Sequence, residues 1–433
     1  MQILKVMPRA VLGSGMVALL LAFASSVAAQ ENLTWSEAKA KFEAANPALK
    51  ADALGVDEMK AAETTAFLRP NPGIGLSSDG LQIAPHTTPG LGTHWMPLTG
   101  TQLVPSINYL HERERKRELR LQSAKEGTQI AGSQHEDLER NLLFDLRSQF
   151  LQTLQAKAIL ELARADLDYY DKIIAISRSR FKAGDLAQID LDRIELLRVQ
   201  YEVEMQTAIV NLRTAKIQLL QLLDDRTPVE KFDVNGTFDF AYELKPLEDF
   251  RKIALDERPD LRAALESVQQ AQTNHKLAIA NGSADPTFST WYSYNPAFNN
   301  PFGRYTLGAS VTIPLRIFDR NQGEKQRTLI DIDRNKQLTE AARAQVFSDV
   351  DSYAQMESDI ALLKPYKAQY KEQATRVRDT VTYSYQRGGA SLMDFLNAQS
   401  DYRVVQLAYL QLIGSTLTAA GQLNLAVGRE VIQ

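Results

Sequence analysis

Two stretches of the chain carry the same spaced pattern: "SRFKAGDLAQIDLDRIELLR" at residues 179–198 and "YSYQRGGASLMDFLNAQSDY" at residues 383–402. At an offset of 204 positions they align an aromatic residue, a glycine, a small residue and an aspartate, namely Phe181 with Tyr385, Gly184 with Gly388, Ala187 with Ser391 and Asp190 with Asp394. The first stretch lies within 122 residues that contain no proline, 106–227. Because proline breaks helices and glycine often ends them, each stretch predicts two long helices joined by a turn.

Other features recur in the same order. "RPNPGIGLSS" at 69–78 resembles "GSADPTFSTW" at 282–291, and "TQLVPSI" at 101–107 resembles "SVTIPLRI" at 310–317. A repeated order of this kind indicates a tandem duplication. We therefore predict a first repeat at 30–225, an equatorial linker segment at 226–258 and a second repeat at 259–433.

Each repeat is predicted to contain a helix, a strand pair, a long helix, a turn and another helix. Thr34 and Glu37 have the spacing of a capping box at the first helix. The predicted strands are about 73–80 and 93–104 in the first repeat, and about 287–295 and 304–314 in the second. The predicted turns are about 183–188 and 387–391. Apolar residues spaced by three and four in the later helices predict coiled-coil packing, at Ala208, Leu212, Ala215, Leu219 and Leu222 and again at Leu410, Ile413, Leu417 and Ala420.

One predicted strand alternates strictly. In "YTLGASVTI", 305–313, one face is apolar and the other is small and polar. That pattern suits a strand with lipid on one side and water on the other, although a soluble sheet shows it as well. Four strands are too few to close a water-filled barrel, and open edges are not tolerated in lipid. Either the strands form a small soluble sheet, or three chains pool them into 12 strands.

The first 29 residues predict export. Lys5 and Arg9 precede an apolar run, and Ala29 ends a small-residue cleavage site. This is typical of a cleaved secretory signal peptide at 1–29. Two of the 49 basic residues and none of the 53 acidic ones lie in it, so the rest has a net charge of −6. A mildly acidic chain does not suggest nucleic acid as a partner. With no cysteine, neither a disulfide framework nor a lipid on a cysteine is expected.

Taken together, these features resemble the TolC family of outer-membrane efflux proteins over essentially the whole mature chain. "IPLRIFDRNQG" at 313–323 is most similar to the CzcC-like heavy-metal efflux outer-membrane component. The resemblance implies a mainly α fold with a small β part. A long α-helical coiled-coil barrel would join four strands per chain, and a homotrimer would share one 12-stranded transmembrane β-barrel. It places the chain in the outer membrane of a Gram-negative bacterium, reaching into the periplasm.

The resemblance also assigns residues to a gate at the periplasmic end. Asp190 and Tyr385 match positions that hydrogen-bond between neighbouring helix pairs and hold the tunnel mouth shut. Asp394 matches an acid that rings the constriction, while the next acid of that ring is replaced by Asn397. Arg387 is the nearest substitute for an expected arginine between chains.

Three Asp394 carboxylates around one axis would attract cations. The alternative is that Asp394 lies just inside a helix start, where the helix dipole stabilises a carboxylate. Both roles are compatible.

The two turns themselves are expected to meet a periplasmic adaptor. Gly184, Gly388 and Gly389 are predicted to end helices, and Asp185 and Ser391 are predicted to cap the helices that follow.

The implied function is a passive exit duct of a tripartite efflux system, with a membrane-fusion adaptor, an RND-type inner-membrane pump and outer-membrane lipid as partners. Heavy-metal cations are the favoured substrates; drugs, organic solutes or type I protein secretion are the alternatives. A periplasmic coiled-coil scaffold or adaptor is the rival from another class. The five histidines show no ligand spacing and no catalytic motif is present, so no enzyme, cofactor or metal site is predicted.

Overall fold

The computed structural model describes residues 31–95, 97–98, 101–295 and 303–432. The predicted signal peptide, 1–29, lies outside them. The helices are α1 (Trp35–Ala45), α2 (Pro47–Phe67), α3 (Lys116–Ala183), α4 (Gln188–Leu222), α5 (Leu247–Glu257), α6 (Pro259–Asn281), α7 (Gln322–Val350), α8 (Tyr353–Pro365), α9 (Lys371–Gln386) and α10 (Leu392–Val427). The strands are β1 (Glu31–Leu33), β2 (Gly73–Asp79), β3 (His86–Thr88), β4 (Gly92–His94), β5 (Gln102–Leu110), β6 (Phe232–Val234), β7 (Thr287–Tyr294) and β8 (Tyr305–Thr312).

Helix α3 is the longest element, with 68 residues. At about 1.5 Å per residue it is roughly 100 Å long, too long for one globular core. Its buried residues instead recur along its length from Lys116 to Ser177, because it has lateral neighbours throughout. The predicted long helix therefore exists, but it begins at Lys116, after a strand that runs to Leu110.

The helices form one layer whose membership changes along α3. Near the sheet, α3 and α6 lie side by side, with α2 next to α3 and α7 next to α6. At the other end the order is α4, α3, α10, α9. Ala208, Ala215 and Leu219 of α4 are buried, as their coiled-coil spacing predicts. The layer has two open edges at this end, α4 and α9.

A four-stranded antiparallel sheet, in the order β2–β5–β7–β8, caps the helices. The predicted strand at 93–104 is wrong in position, because its main part is β5, Gln102–Leu110. Proline is rare inside a sheet, because it cannot donate a ladder hydrogen bond. Pro105 nevertheless pairs with Leu76 in the middle of the ladder.

The register gives the sheet two different faces. One face is mainly apolar and largely solvent-exposed, and it carries Ile74, Leu76, Leu103, Pro105, Ile107, Tyr109, Phe288, Tyr292, Tyr294, Tyr305, Leu307 and Val311 together with Ser78, Thr290 and Ala309. Leu307 is 80% exposed on it. The other face carries mainly glycine and hydroxyl side chains, namely Gly73, Gly75, Ser77, Ser106, Thr287, Ser289, Ser293, Thr306, Gly308, Ser310 and Thr312, together with Asp79, Gln102, Val104, Asn108, Leu110 and Trp291. A soluble sheet buries its apolar face against a core, whereas this sheet exposes its apolar face.

A belt of short elements wraps the middle of the helices. Strands β1 and β6 pair in parallel, and Phe232 and Val234 of β6 are fully buried with Phe42 and Leu219. Asp233 of β6 is held by lysines of α3 and α4, at 2.8 Å from Lys157 Nζ and 3.0 Å from Lys216 Nζ. These contacts attach the predicted linker segment to the first long helix pair.

The long helix of the second half is interrupted, unlike α3. A break at Asp351 and Ser352 separates α7 from α8, and a π-helical turn, Tyr366–Tyr370, follows Pro365. Pro365 cannot donate the regular helical hydrogen bond, which explains the irregular turn after it.

Within the described residues, α10 alone combines the length and apolarity of a possible membrane helix. Half of its most apolar window is buried inside the protein. Ile413, Leu417 and Ala420 of α10 pack in the main hydrophobic cluster, which accounts for the apolar sequence.

Candidate functional site

The two turns at the far end of the helices from the sheet have the same backbone construction. Gly184 ends α3 at φ 84° and Gly388 follows α9 at φ 78°, both left-handed. The Asp185 amide donates to Arg180 O, and the Gly389 amide donates to Ser384 O, both at 2.9 Å. Glycine takes this conformation without a Cβ penalty, so both glycines have the predicted structural reason.

The helices that follow the turns begin differently. Ser391 caps α10 in a capping box: Ser391 Oγ accepts from the Asp394 amide at 3.1 Å and donates to Asp394 Oδ2 at 2.7 Å. In α4 the N-cap is Ala187, which has no side-chain acceptor. The predicted capping role of Asp185 is therefore wrong, because Asp185 lies two residues before the cap.

Asp394 lies on the solvent-exposed side of the first turn of α10. Hydrogen bonds from Ser391 hold the pKa of its carboxyl below the ordinary value. The structure thus shows the helix-capping role of Asp394. Asn397, one turn further along, is also exposed.

Tyr385 lies at the centre of a small core behind the turns. Its ring stacks on Phe395 with centroids 4.9 Å apart, and both side chains are at most 4% exposed. Its buried hydroxyl lies close to the buried hydroxyl of Ser177, and neither reaches another hydrogen-bond partner among the described residues. Burial raises the pKa of Tyr385, the Ser177 hydroxyl and the charge of Arg180 oppose this rise, and the charge of Asp190 adds a smaller increase. Asp190 and Tyr385 are therefore neighbours, but no hydrogen bond joins them within the chain.

Arg180 connects the two turns, and the sequence analysis missed it. Its guanidinium donates to Tyr385 O at 2.8 Å and to Asp185 O at 3.5 Å, and it lies 5.3 Å from the centre of the Tyr385 ring. One side chain from the first stretch therefore holds the turn of the second. The available signal was a basic residue in the last helical turn, where carbonyl groups lack partners.

Arg387 and Gly389 remain local to the second turn. The Arg387 guanidinium lies 3.7 Å from the centre of the Tyr383 ring, so within one chain it reaches neither gate aspartate. A Cβ on Gly389 would come within 2.9 Å of Ser384 Oγ. The turn is therefore tightly packed on its own helix end.

A layer of polar and aromatic side chains lies next to the small core around Tyr385, on the side towards the sheet, where four helices meet. Asp166 of α3 and Glu204 of α4 face Arg378 of α9 and Arg403 of α10. Arg403 binds Glu204 at 2.8 Å, and Arg378 lies 3.9 Å from the centre of the Tyr402 ring. Burial raises the pKa of Asp166 to about 6 although both arginines oppose it. This layer ties the first helix pair to the second.

No cluster of three or more possible metal ligands occurs in the part of the chain that the structure describes.

Comparison with known proteins gives one consistent result. A family model described as "Outer membrane efflux protein" matches residues 251–429. The cobalt-zinc-cadmium resistance protein CzcC of Cupriavidus metallidurans is 22% identical over 72% of this chain and 74% of its own length. The pyoverdine export outer membrane protein OpmQ of Pseudomonas aeruginosa is 24% identical over 72% of this chain and 66% of its own.

Solved structures agree on the fold. The structure of CusC, a protein that forms a transmembrane channel, matches with a TM-score of 0.74 at 15% identity, over 91% of this chain and 92% of its own. The outer-membrane channel OprN has a TM-score of 0.73 at 14% identity, over 91% and 89%. The predicted resemblance to TolC-type outer membrane efflux proteins is confirmed, and so is the mainly helical fold.

Proposed function

We propose that the chain is one protomer of a trimeric outer-membrane exit duct in a tripartite efflux system. The observation that carries this proposal is the four-stranded sheet, whose exposed apolar face is unsuited to water and whose other face is hydroxyl-rich. Lipid outside and water inside match these two faces. The helices, about 100 Å long, then serve as a conduit away from the membrane.

The height of the apolar face fits a membrane. Tyr292, Tyr294 and Tyr305 gather at one end of β7 and β8, and Tyr109 and Phe288 lie at the other. Strands of eight residues are about 26 Å long at about 3.3 Å per residue, and the usual tilt of roughly 35–45° leaves about 20 Å of height. That is somewhat less than the apolar band of roughly 25 Å in outer-membrane barrels, which likewise has aromatic residues at both borders.

The open edges support three copies. The sheet ends in β2 on one side and β8 on the other, and unpaired strand edges are not tolerated in lipid. The helical layer ends in α4 and α9. On α4 an exposed apolar stripe recurs every seven residues, at Ile189, Leu196, Val203, Val210 and Ile217. A ring that joins β8 to β2 and α9 to α4 of the next copy satisfies both edges, and three copies give 12 strands.

The turns would form the periplasmic mouth. In this proposal the exposed residues Gly184, Asp185, Gly388 and Gly389 meet an adaptor, and an RND-type pump of the inner membrane energises transport. Asp190 keeps a free carboxylate beside Tyr385 because Ala187 cannot engage it in a cap. The Tyr385 hydroxyl, which has only the Ser177 hydroxyl close to it among the described residues, is then available for a partner in a neighbouring copy.

Heavy-metal cations are the substrates we favour, in line with the similarity to CzcC and with "IFDRNQG". The similarity to OpmQ, a pyoverdine exporter, keeps an organic solute as the second candidate.

The substrate is tested by a sensitivity panel in a Gram-negative host lacking the gene. Zinc, cobalt, cadmium, nickel and copper salts would be set beside dyes, detergents and antibiotics. Sensitivity of the deletion host to metals supports metal efflux if the intact gene restores resistance and the Leu196→Glu, Val203→Glu variant does not. Sensitivity to organic compounds alone assigns the duct to organic solutes.

A further inference from the structure

The segment after β8 exposes apolar side chains outside the sheet. Beyond the strand end at Thr312, Ile313 and Leu315 keep the two-residue sequence spacing of the apolar face of β8, and both are exposed. Leu315 is 80% exposed and Phe318 is 89% exposed, the latter among the most exposed large apolar side chains described. Exposed apolar groups of this size, grouped together, indicate an interaction surface.

This segment, 313–320, is held in place by hydrogen bonds, so its apolar groups are displayed on a fixed backbone. The Arg320 amide donates to Gln322 Oε1 at 2.8 Å, and Gln322 Nε2 donates to Phe318 O at 3.1 Å. Asn321 Nδ2 donates to Ala278 O at 2.8 Å, which ties the segment to α6. A fixed display reduces the entropy lost on binding.

Positive charge accompanies the apolar groups. Arg316 and Arg320 lie within the segment, and Arg316 has a loose contact of 3.9 Å with Asp319 and also lowers the pKa of Asp285 by its charge. Arg113 lies at the same end of the sheet, because its amide donates to Asp285 Oδ1 just before β7. Apolar side chains beside arginines suit the border between lipid tails and phosphate groups.

We propose that segment 313–320 is a lipid anchor, in which Leu315, Ile317 and Phe318 enter the periplasmic leaflet while Arg316 and Arg320 bind a phospholipid phosphate. The inference rests on the proposed duct, whose membrane level it uses. A neighbouring copy is the less suitable occupant, because it would pair with β8 along the strand edge, and Leu315 lies beyond the end of that strand.

The absence of cysteine gives a clean test. Phe318→Cys would be labelled with an environment-sensitive fluorophore in the full-length protein, reconstituted in vesicles of phosphatidylethanolamine and phosphatidylglycerol at about 3:1. Leu338→Cys, at an exposed position of α7 remote from the sheet, is the matched control. Lipids that carry a nitroxide quencher near the headgroup should reduce the fluorescence of the label at 318 roughly twofold and that of the label at 338 very little.

The arginines are tested separately. Arg316→Gln with Arg320→Gln should weaken retention of phosphatidylglycerol by about tenfold in native mass spectrometry. Arg334→Gln with Arg343→Gln, two exposed arginines of α7, should not. Equal quenching at 318 and 338 in a conducting trimer, or cross-linking of the Phe318→Cys variant to a second copy through its new thiol, overturns the anchor and leaves the duct intact. Failure to form a conducting trimer overturns both.

Discussion

Asp190 and Asp394 occupy equivalent places in the two repeated stretches, yet their surroundings differ through one other residue. Ser391 engages Asp394 in a capping box, whereas Ala187 leaves Asp190 free to influence Tyr385. The sequence predicted both aspartates and both glycines of the turns. It could not predict Arg180, because that role depends on the second turn lying next to the first, a contact between residues 205 positions apart.

Arg180→Ala should loosen the second turn. It removes a charge-assisted hydrogen bond to Tyr385 O and a cation–π contact, each worth about 1 kcal/mol. We expect faster amide exchange at 385–391 by hydrogen–deuterium exchange mass spectrometry. Lys182→Ala, in the same helical turn, is the control and should leave these amides unchanged. Equal protection in both variants would contradict the bridging role.

Asp166 predicts a pH dependence. Its pKa is raised from 3.8 to about 6 in the folded protein, so the folded state binds the proton more tightly than the unfolded state. Its contribution is therefore fully present below the unfolded value and is lost as pH rises from about 4 through 6. Asp166→Asn should be more stable than the parent protein at about pH 7.5, by about 1–2 kcal/mol, and similar to it at about pH 4. Thermal unfolding at the two pH values measures this, and a difference independent of pH would be evidence against it.

At the scale of elements, the sequence predicted three of the four strands of the main sheet closely, and it predicted the long helices. It misplaced β5, in which Pro105 lies at a position that normally argues against a central strand. The breaks near Ser352 and after Pro365 were also not predicted. Nothing local marks the first break, where Val350 and Met356 on either side are fully buried in the cluster formed with α5 and α10.

Gly308 is a packing requirement of the sheet. A Cβ there would overlap the indole ring of Trp291, on the paired strand β7. Gly308→Ala should force Trp291 out of place and destabilise the protein by about 1–3 kcal/mol. Gly55→Ala, in α2 with nothing within 4 Å, should be neutral or stabilising by up to about 1 kcal/mol. Chemical unfolding of both variants in detergent tests the contrast; equal stability would refute the packing argument.

At the scale of the whole molecule, a single chain leaves two kinds of edge open, those of the sheet and those of the helical layer. The sequence suggested the pooled barrel from strand number alone. It did not indicate that α4 turns a second apolar stripe outward, because its buried stripe, with Ala208 and Leu219, follows similar spacing. Only the contacts between α4 and α3 show which of the two apolar stripes of α4 is buried and which is exposed.

Leu196→Glu with Val203→Glu should prevent assembly. Both residues lie on the exposed stripe of α4, at 71% and 60% exposure, so the folded monomer tolerates charge there. Buried at an interface between copies, two unpaired carboxylates would cost several kcal/mol. Native mass spectrometry should detect monomers, while Asn211→Asp, exposed on the same helix but outside the stripe, should remain trimeric. A trimeric double variant would mean that α4 is not an interface.

The most direct test of the duct is the ionic current through the purified protein in a planar lipid bilayer, after its mass in detergent has been determined. We predict a trimer that inserts and gives stepwise single-channel currents, larger when Arg180→Ala loosens the turns. A protein that stays monomeric in aqueous buffer and produces no current would contradict the account and favour a periplasmic scaffold.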